Sequence, residues 1–472
     1  MVVGSFEKGC QVAVIGSGPG GYLAAIRLAQ LKKDVILVEE AENLGGICLN
    51  EGCIPSKALI HAADFLEETK HCDQMGITVT RATLDMPKLV AWKDKVVKRL
   101  TDGVKFLTSK NGAEILHGRA QFLTDRTLKV ATKEGPQIVR FEQAVIATGS
   151  VPFPLPGFPV DGESVIGSKE ALSLSEIPVK LVVIGGGYIG LELSCVYRKL
   201  GSEVALVEFF PELLAHHDPE VREVITRRLK DLGLSVYLGH RAVGLEKGHP
   251  STVKIQDKEG KVTLLEADKV LVCVGRVPNV AGLGLKEAGV EQDPKGFIKV
   301  TRQMETNVPG IYAVGDVVGG PLLAHKAYRE AKVAAEVIAG SPSSFDNVVI
   351  PAVIYTDPEI AWAGLFEVEA KQQGLKVVSG SFPFKASGRA LTLNAPEGFV
   401  KTVADAETKR ILGVQIVGQD ASELISEAAL AIEMGAFLDD LSQTIHPHPT
   451  MSEGLLESVE AALGEAIHVV NK

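Results

Sequence analysis

The chain has 472 residues, of which 46% are hydrophobic and 23% charged, with 48 glycines and a formal net charge of -10. At roughly 100 to 200 residues per domain this is several folded units, and the composition excludes a disordered chain. The acidic balance repels phosphate backbones and anionic lipid, so no nucleic acid and no membrane are expected as partners.

The opening, MVVGSFEKGCQVAVIG, has no basic stretch followed by an apolar core of the signal-peptide type. No apolar run approaches the ~20 residues needed to cross a bilayer, and a cytoplasmic setting is expected. QVAVIG (11–16) reads as a short buried strand, GYLAAIRLAQLKK as a helix and DVILVEE as a second strand, which together make a β-α-β unit. The segment GGICLNEGCIPSK (45–57) follows, with two cysteines five positions apart. EQAVIATG ends in the proline-rich VPFPLPGFP (151–159), which marks a domain boundary. The β-α-β grammar then returns at 179–210 and closes at VLVCVGRVPN (270–279). GIYAVGDVVGG (310–320) reads as a strand returning toward the first unit, followed by a helix. From Pro351 the pattern changes to strands and then helices. The expected fold is α/β: two Rossmann-like dinucleotide-binding domains plus a C-terminal α+β dimerisation domain. The expected bounds are 1–150, 151–280, a central part 281–350, and 351–472.

Both β-α-β units carry a complete GxGxxG, at Gly16, Gly18 and Gly21 and at Gly185, Gly187 and Gly190. Such glycines allow a tight turn, close approach of backbone to a pyrophosphate, and close helix packing on the sheet. In each unit a glutamate follows the first glycine by 23 positions, Glu39 and Glu208, placed to accept from ribose hydroxyls. A 2′-phosphate beside Glu208 would meet like charge, and Phe209, Phe210 and Pro211 offer no arginine, so NAD is preferred to NADP.

Cys48 and Cys53 lack zinc-site spacing, and no metal is expected. On a regular helix residues five apart rise ~7.5 Å, beyond the ~7 Å reach of a disulfide, so a bridge requires a distorted turn. Gly52 and Pro55 supply one, and a strained, accessible bridge is the labile kind suited to thiol exchange. Of the other cysteines, Cys10, Cys195 and Cys273 read as small core residues, and Cys72 is left open.

GGICLNEGCIPSK resembles the redox-active segment of the pyridine nucleotide-disulfide oxidoreductases. The two glycine patterns, ATGS (147–150), GRVPN (275–279), AVGD (313–316) and HPTMSE (448–453) extend the resemblance over almost the whole chain. The Pro-Ser-Lys ending and Glu208 are similar to the branch that oxidises dihydrolipoyl groups rather than to glutathione reductases. The resemblance implies FAD on the first glycine pattern, with Ala147, Thr148, Gly149, Asp316, Ala324 and Lys57 contributing. NAD falls on the second, with Glu192, Gly275 and Arg276 contributing.

It further implies that a dihydrolipoyl thiolate attacks Cys48 and releases Cys53 as a thiolate beside the flavin. His448, oriented by Glu453, is the expected base, while His446 is read as structural; Pro447 departs from the alanine common there. Lys57, four residues after Cys53, can share its helix face and lower its pKa, and a Lys57–Glu192 pair near the flavin is expected. The implied assembly is a homodimer. Its implied macromolecular partner is the lipoyl-bearing acyltransferase or lipoyl carrier protein of a 2-oxo acid dehydrogenase or glycine cleavage complex. Two other readings stand beside this one: a related reductase of a low-molecular-weight disulfide, and a non-enzymatic nucleotide-binding or redox-sensing protein. Retained cysteines, His448 and Glu453 together argue against the second.

Overall fold

A computed structural model describes residues 6–471. The chain opens with strand β1 (Phe6–Ile15), helix α1 (Pro19–Gln30) and strand β2 (Val35–Glu39), with β1 and β2 parallel. Helix α1 turns Gly20, Gly21, Ala24, Ala25, Leu28 and Ala29 inward, the period of one helical face. The redox segment then forms two short-separated helices, α2 (Gly46–Glu51) and α3 (Cys53–Glu68), and a long helix α4 (Met86–Lys110) follows. Strands β3 (Glu114–His117), β4 (Arg119–Thr124), β5 (Thr127–Thr132) and β6 (Gly135–Ile146) complete a sheet ordered β3-β2-β1-β6-β5-β4. The β4–β5–β6 meander is antiparallel. Its exposed alternation lacks the apolar run that marks β1 and β2, and the sequence reading recovered only the end of β6.

Strand β7 (Ser150–Pro152) leads out of this sheet, and β8 (Val165–Ile166) and the short helix α5 (Ser168–Ala171) follow. The second β-α-β unit comprises β9 (Lys180–Ile184), α6 (Tyr188–Leu200) and β10 (Glu203–Glu208), and α7 (Pro219–Asp231) leads to β11 (Ser235–Leu238). An antiparallel insert follows, β12 (Arg241–Glu246), β13 (Ser251–Gln256) and β14 (Val262–Ala267), before β15 (Lys269–Val272). The all-parallel sheet is ordered β11-β10-β9-β15-β8. Strand β16 (Arg276–Pro278) pairs antiparallel with β7, so the chain enters and leaves this unit through one two-stranded ribbon.

Strand β17 (Ile311–Ala313) then pairs in parallel with β6 in the first sheet, and helix α8 (Ala324–Ile338) packs on α1. The C-terminal part contains β18 (Ala352–Ile354), β19 (Ile360–Gly364), α9 (Glu367–Gln372), β20 (Val377–Pro383), α10 (Gly388–Thr392), β21 (Phe399–Asp405) and β22 (Ile411–Val417). Its five strands form an antiparallel sheet ordered β18-β19-β22-β21-β20, covered by α11 (Ala421–Met434), α12 (Leu438–Ser442) and α13 (Glu453–Leu463). The architecture is therefore two dinucleotide-binding α/β units with a C-terminal α+β layer. No helix among the described residues is long and apolar enough to cross a membrane.

Candidate active site

The two glycine turns are built alike. Gly16 has φ +94°, and a Cβ there would lie 2.5 Å from the Ala147 carbonyl oxygen. A Cβ on Gly21 would fall 1.8 Å from the Gly16 oxygen, so α1 can approach the turn only with glycine at that position. In the second unit Gly185 has φ +107° and lies against Cys273, while a Cβ on Gly190 would fall 1.9 Å from the Gly185 oxygen. Gly18 and Gly187 cap α1 and α6, and a Cβ on either would meet nothing within 4 Å, so each helix N-terminus faces open space that an anion can occupy.

The two carboxylates are held in matching fashion. Glu39 accepts from the backbone N–H of Ser17 (2.7 Å) and Ala41 (2.7 Å), and Glu208 from those of Gly186 (2.6 Å) and Phe210 (2.8 Å). Each N–H pair fixes its carboxylate at a strand end with lone pairs left for a ribose. The three residues after Glu208 offer no arginine, but from farther along the chain the Arg241 guanidinium sits 5.0 Å over the Phe209 ring. It arrives from β12 across the strand ends, a neighbour that the local sequence does not reveal.

A cavity of about 570 Å³ joins the first glycine turn to the cysteines. Gly16, Gly18, Ala147, Thr148, Gly149, Asp316, Ala324, Cys48, Cys53, Lys57, Glu192 and Arg276 all line it. Ser17 Oγ and Thr148 Oγ1 are buried at this site with no hydrogen-bond partner, as a polar ligand would require. These orphan atoms, the open N-terminus of α1 and the fixed Glu39 fit the pyrophosphate and ribose of FAD. Arg276 donates to Ser150 Oγ (2.7 Å) and Ser150 O (2.6 Å), and Ser150 Oγ donates to Asp316 (2.5 Å). The arginine expected for NAD is thereby tied, through a serine that sequence reasoning passed over, to the aspartate expected for FAD. Gly275 has φ +120° and stands just before it, at the ribbon between the two units.

The redox segment has the break that the spacing demanded. Gly52, with φ -144° and ψ -103°, separates α2 from α3, so Cys48 and Cys53 lie on different helices. Both are free thiols in this structure. The neighbouring Cys48 thiol holds Cys53 below the ordinary thiol range against the opposing effect of burial, with Lys57 helping. Cys53 in turn, together with burial, pushes Cys48 well up. Cys53 is therefore the preferred thiolate of the pair.

Lys57 Nζ stands 2.9 Å from Glu192 Oε2, joining α3 to α6. Tyr188, inside the second glycine pattern and absent from the sequence-derived site, also lines the cavity, and burial pushes its phenol up to about 12. Burial likewise raises Cys10, Cys195 and Cys273 to about 12, as unreactive thiols. Cys72 is buried and donates to the Thr69 and Ile77 carbonyls. Among the described residues no cluster could hold a metal ion.

His448 and Glu453 meet at the start of α13, outside the lining of this cavity. His448 Nδ1 is 2.8 Å from Glu453 Oε1, and the Thr450 N–H donates to Glu453 Oε2 at 2.8 Å. Burial alone would raise Glu453, but the Thr450 N–H and His448 hold it below the usual range. The His448 side chain is 80% exposed and does not line the cavity that holds the cysteines. His446 is instead buried and paired with Glu427 at 2.9 Å. A single chain thus presents a dithiol in one place and an exposed, oriented imidazole in another.

Residues 10–331 match the pyridine nucleotide-disulphide oxidoreductase model, and residues 350–459 match the dimerisation domain of the same family. The chain belongs to the pyridine nucleotide-disulphide oxidoreductases, flavoproteins that use FAD and NAD(H). It is 46% identical over 472 residues to the dihydrolipoyl dehydrogenase of Geobacillus stearothermophilus, covering all of both chains. It is 50% identical to that of Thermus scotoductus, covering 98% of this chain and all of the other. Among solved structures, LpdA from Mycobacterium tuberculosis superposes with a TM-score of 0.89 at 25% identity, covering 95% of this chain and 99% of that one. The HOCl-induced flavoprotein disulfide reductase RclA from Escherichia coli gives 0.85 at 27%, covering 95% and 99%.

Proposed function

We propose that the chain oxidises a dihydrolipoyl dithiol to the cyclic disulfide while reducing NAD to NADH, cycling Cys48 and Cys53 between disulfide and dithiol. The observation that carries this reading is the thiol pair facing the same cavity as Gly18 and Asp316, with Cys53 as the favoured thiolate. Identity to dihydrolipoyl dehydrogenases over the whole chain, well above the identity to RclA, supports it over reduction of a low-molecular-weight disulfide.

In the oxidised form a substrate thiolate attacks Cys48, the S–S bond breaks, and Cys53 leaves as a thiolate. The second substrate thiol, deprotonated, attacks the substrate sulfur bound to Cys48, which closes the substrate disulfide and releases Cys48 as a thiolate that takes up the proton held by the base. A free thiol is mostly protonated at neutral pH, so the step needs a base, and His448 accepts the proton with Glu453 stabilising the imidazolium. His448 is exposed and outside the lining of its own chain's dithiol cavity, which supports His448 of the partner subunit, in a twofold dimer, as the base. FAD, when bound, carries the electron pair from the dithiol to the nicotinamide. Lys57 and Glu192 hold fixed charge beside Cys53, and Glu208 orients the adenosine ribose of NAD. The proposed macromolecular substrate is the lipoyl-bearing acyltransferase or carrier protein of a 2-oxo acid dehydrogenase or glycine cleavage complex, in the cytoplasm.

Steady-state turnover tests the reading. NADH formation from dihydrolipoamide is expected to exceed NADH oxidation by glutathione disulfide by at least about two orders of magnitude in kcat/KM. The reverse order would replace the lipoyl substrate with a small disulfide.

A further inference from the structure

Helices α3 and α6 are stitched together by two ion pairs of opposite polarity, seven residues apart on each helix. Lys57 of α3 meets Glu192 of α6 at 2.9 Å, and two turns on Asp64 of α3 meets Lys199 of α6. One segment of the C-terminal domain, just after β18, reaches both pairs. The Asp357 carboxylate lies 2.7 Å from Lys199 Nζ and 2.7 Å from Arg228 of α7. The Tyr355 backbone N–H donates to Glu192 Oε1 at 3.0 Å, while its ring lies 4.2 Å beneath Lys57 Nζ.

Tyr355 therefore grips both members of the pair nearest the dithiol. Lysine is a flexible point charge, and Lys57 keeps 32% of its side chain exposed, so its rotamer needs restraint. An aromatic face beneath an ammonium supplies it. Glu192 has one oxygen on Lys57 and the other on the Tyr355 N–H, so its charge is paired on one side and hydrogen-bonded on the other. We propose that Tyr355 is a positioning residue for the redox dithiol: it holds the Lys57 ammonium one helical turn from Cys53, so that the docking of the C-terminal domain sets the state of the inner thiol. The proposal rests on the reading of Cys53 as the thiolate beside the flavin.

The groups facing Cys53 are Cys48 from α2, Lys57 on its own helix, Glu192 and Tyr188 from α6, and Tyr328 from α8. If the ring is lost, Lys57 swings toward solvent and Glu192 loses its counter-charge. Both changes disfavour the Cys53 thiolate.

The test follows the long-wavelength thiolate-to-flavin absorbance of the FAD-loaded, dithiothreitol-reduced protein against pH. Tyr355→Leu is expected to raise the midpoint by about half a unit to one unit, and Tyr355→Phe to leave it within about 0.2 unit. A full band with an unmoved midpoint in Tyr355→Leu overturns the proposal. Absence of the band from the unsubstituted protein instead removes the reading of Cys53, and the proposal with it. Should Tyr355→Leu lose FAD or melt early, pentafluorophenylalanine at 355 keeps the ring shape but reverses its quadrupole. The same rise is then expected, and an unmoved midpoint overturns the proposal.

Discussion

His448 Nδ1 stands 2.8 Å from Glu453 Oε1, a pair anchored at the start of α13 by the Thr450 N–H and pointed out of its own chain. Glu453 is held below the usual carboxylate range despite the opposing effect of burial, so it stays ionised and supports a charged imidazole. Replacing it by glutamine keeps a hydrogen-bonding group but removes the charge. Glu453→Gln is expected to lower kcat with dihydrolipoamide by about 10² and His448→Gln by about 10² to 10⁴, with flavin content unchanged. Because a depressed carboxylate loses its charge as pH falls through its own low pKa, the support for His448 fails on the acid side. The part of the acid-side loss that comes from Glu453 should therefore be absent from Glu453→Gln. Wild-type turnover in both variants would remove the pair from the reaction.

The proposed function gives each glycine turn its own cofactor. A Cβ at position 21 or 190 meets backbone oxygen rather than a yielding side chain, at 1.8 Å and 1.9 Å. Overpacking of this kind typically costs about 1–3 kcal/mol. Gly21→Ala is expected to yield protein poor in FAD, whereas Gly190→Ala keeps its flavin and binds NADH at least about tenfold more weakly, by titration of flavin content and NADH affinity. Equal loss of both ligands in either variant would merge the two sites that this account keeps apart.

Glu208 is the residue proposed to decide between the dinucleotides. A 2′-phosphate placed against a buried carboxylate costs several kcal/mol, so NAD should exceed NADP by about 10² or more in kcat/KM. Arg241, resting on Phe209, is the nearby cation that gains influence once Glu208 is neutral. Glu208→Gln should narrow the gap, and Glu208→Gln with Arg241→Ala should restore part of it. Indifference of the wild-type protein to the 2′-phosphate would refute the role of Glu208.

The asymmetry between the thiols predicts their spectra. With Cys48→Ser no disulfide forms, and the Cys53 thiolate should give a long-wavelength band with oxidised flavin before any reductant is added. Cys53→Ser should give none after two-electron reduction. The opposite pattern would exchange the roles of the two cysteines.

What the sequence made legible was whatever a local backbone must satisfy. Gly21 and Gly190 are dictated by contacts within their own turns, Gly16 and Gly185 by a left-handed φ, and Gly52 by the spacing of Cys48 and Cys53. The Lys57–Glu192 pair followed from resemblance and from helix-face geometry. Contacts made across the chain were illegible. Tyr355 reaches Lys57 from the C-terminal domain, Ser150 links Arg276 to Asp316 across the inter-domain ribbon, and Arg241 arrives from a separate insert. Strand β20 was missed as well, because Ser379, Gly380 and Ser381 break its apolar residues at the centre.

The most direct measurement uses a purified mixed dimer of Cys48→Ser and His448→Gln subunits, each inactive as a homodimer. If the imidazole of one subunit serves the dithiol of the other, one site is intact and the second carries both lesions. About half the wild-type activity per dimer should then return with dihydrolipoamide and NAD. If each site instead depends on its own chain's histidine, every site keeps one lesion, and a mixed dimer as inactive as its parents would contradict the shared site.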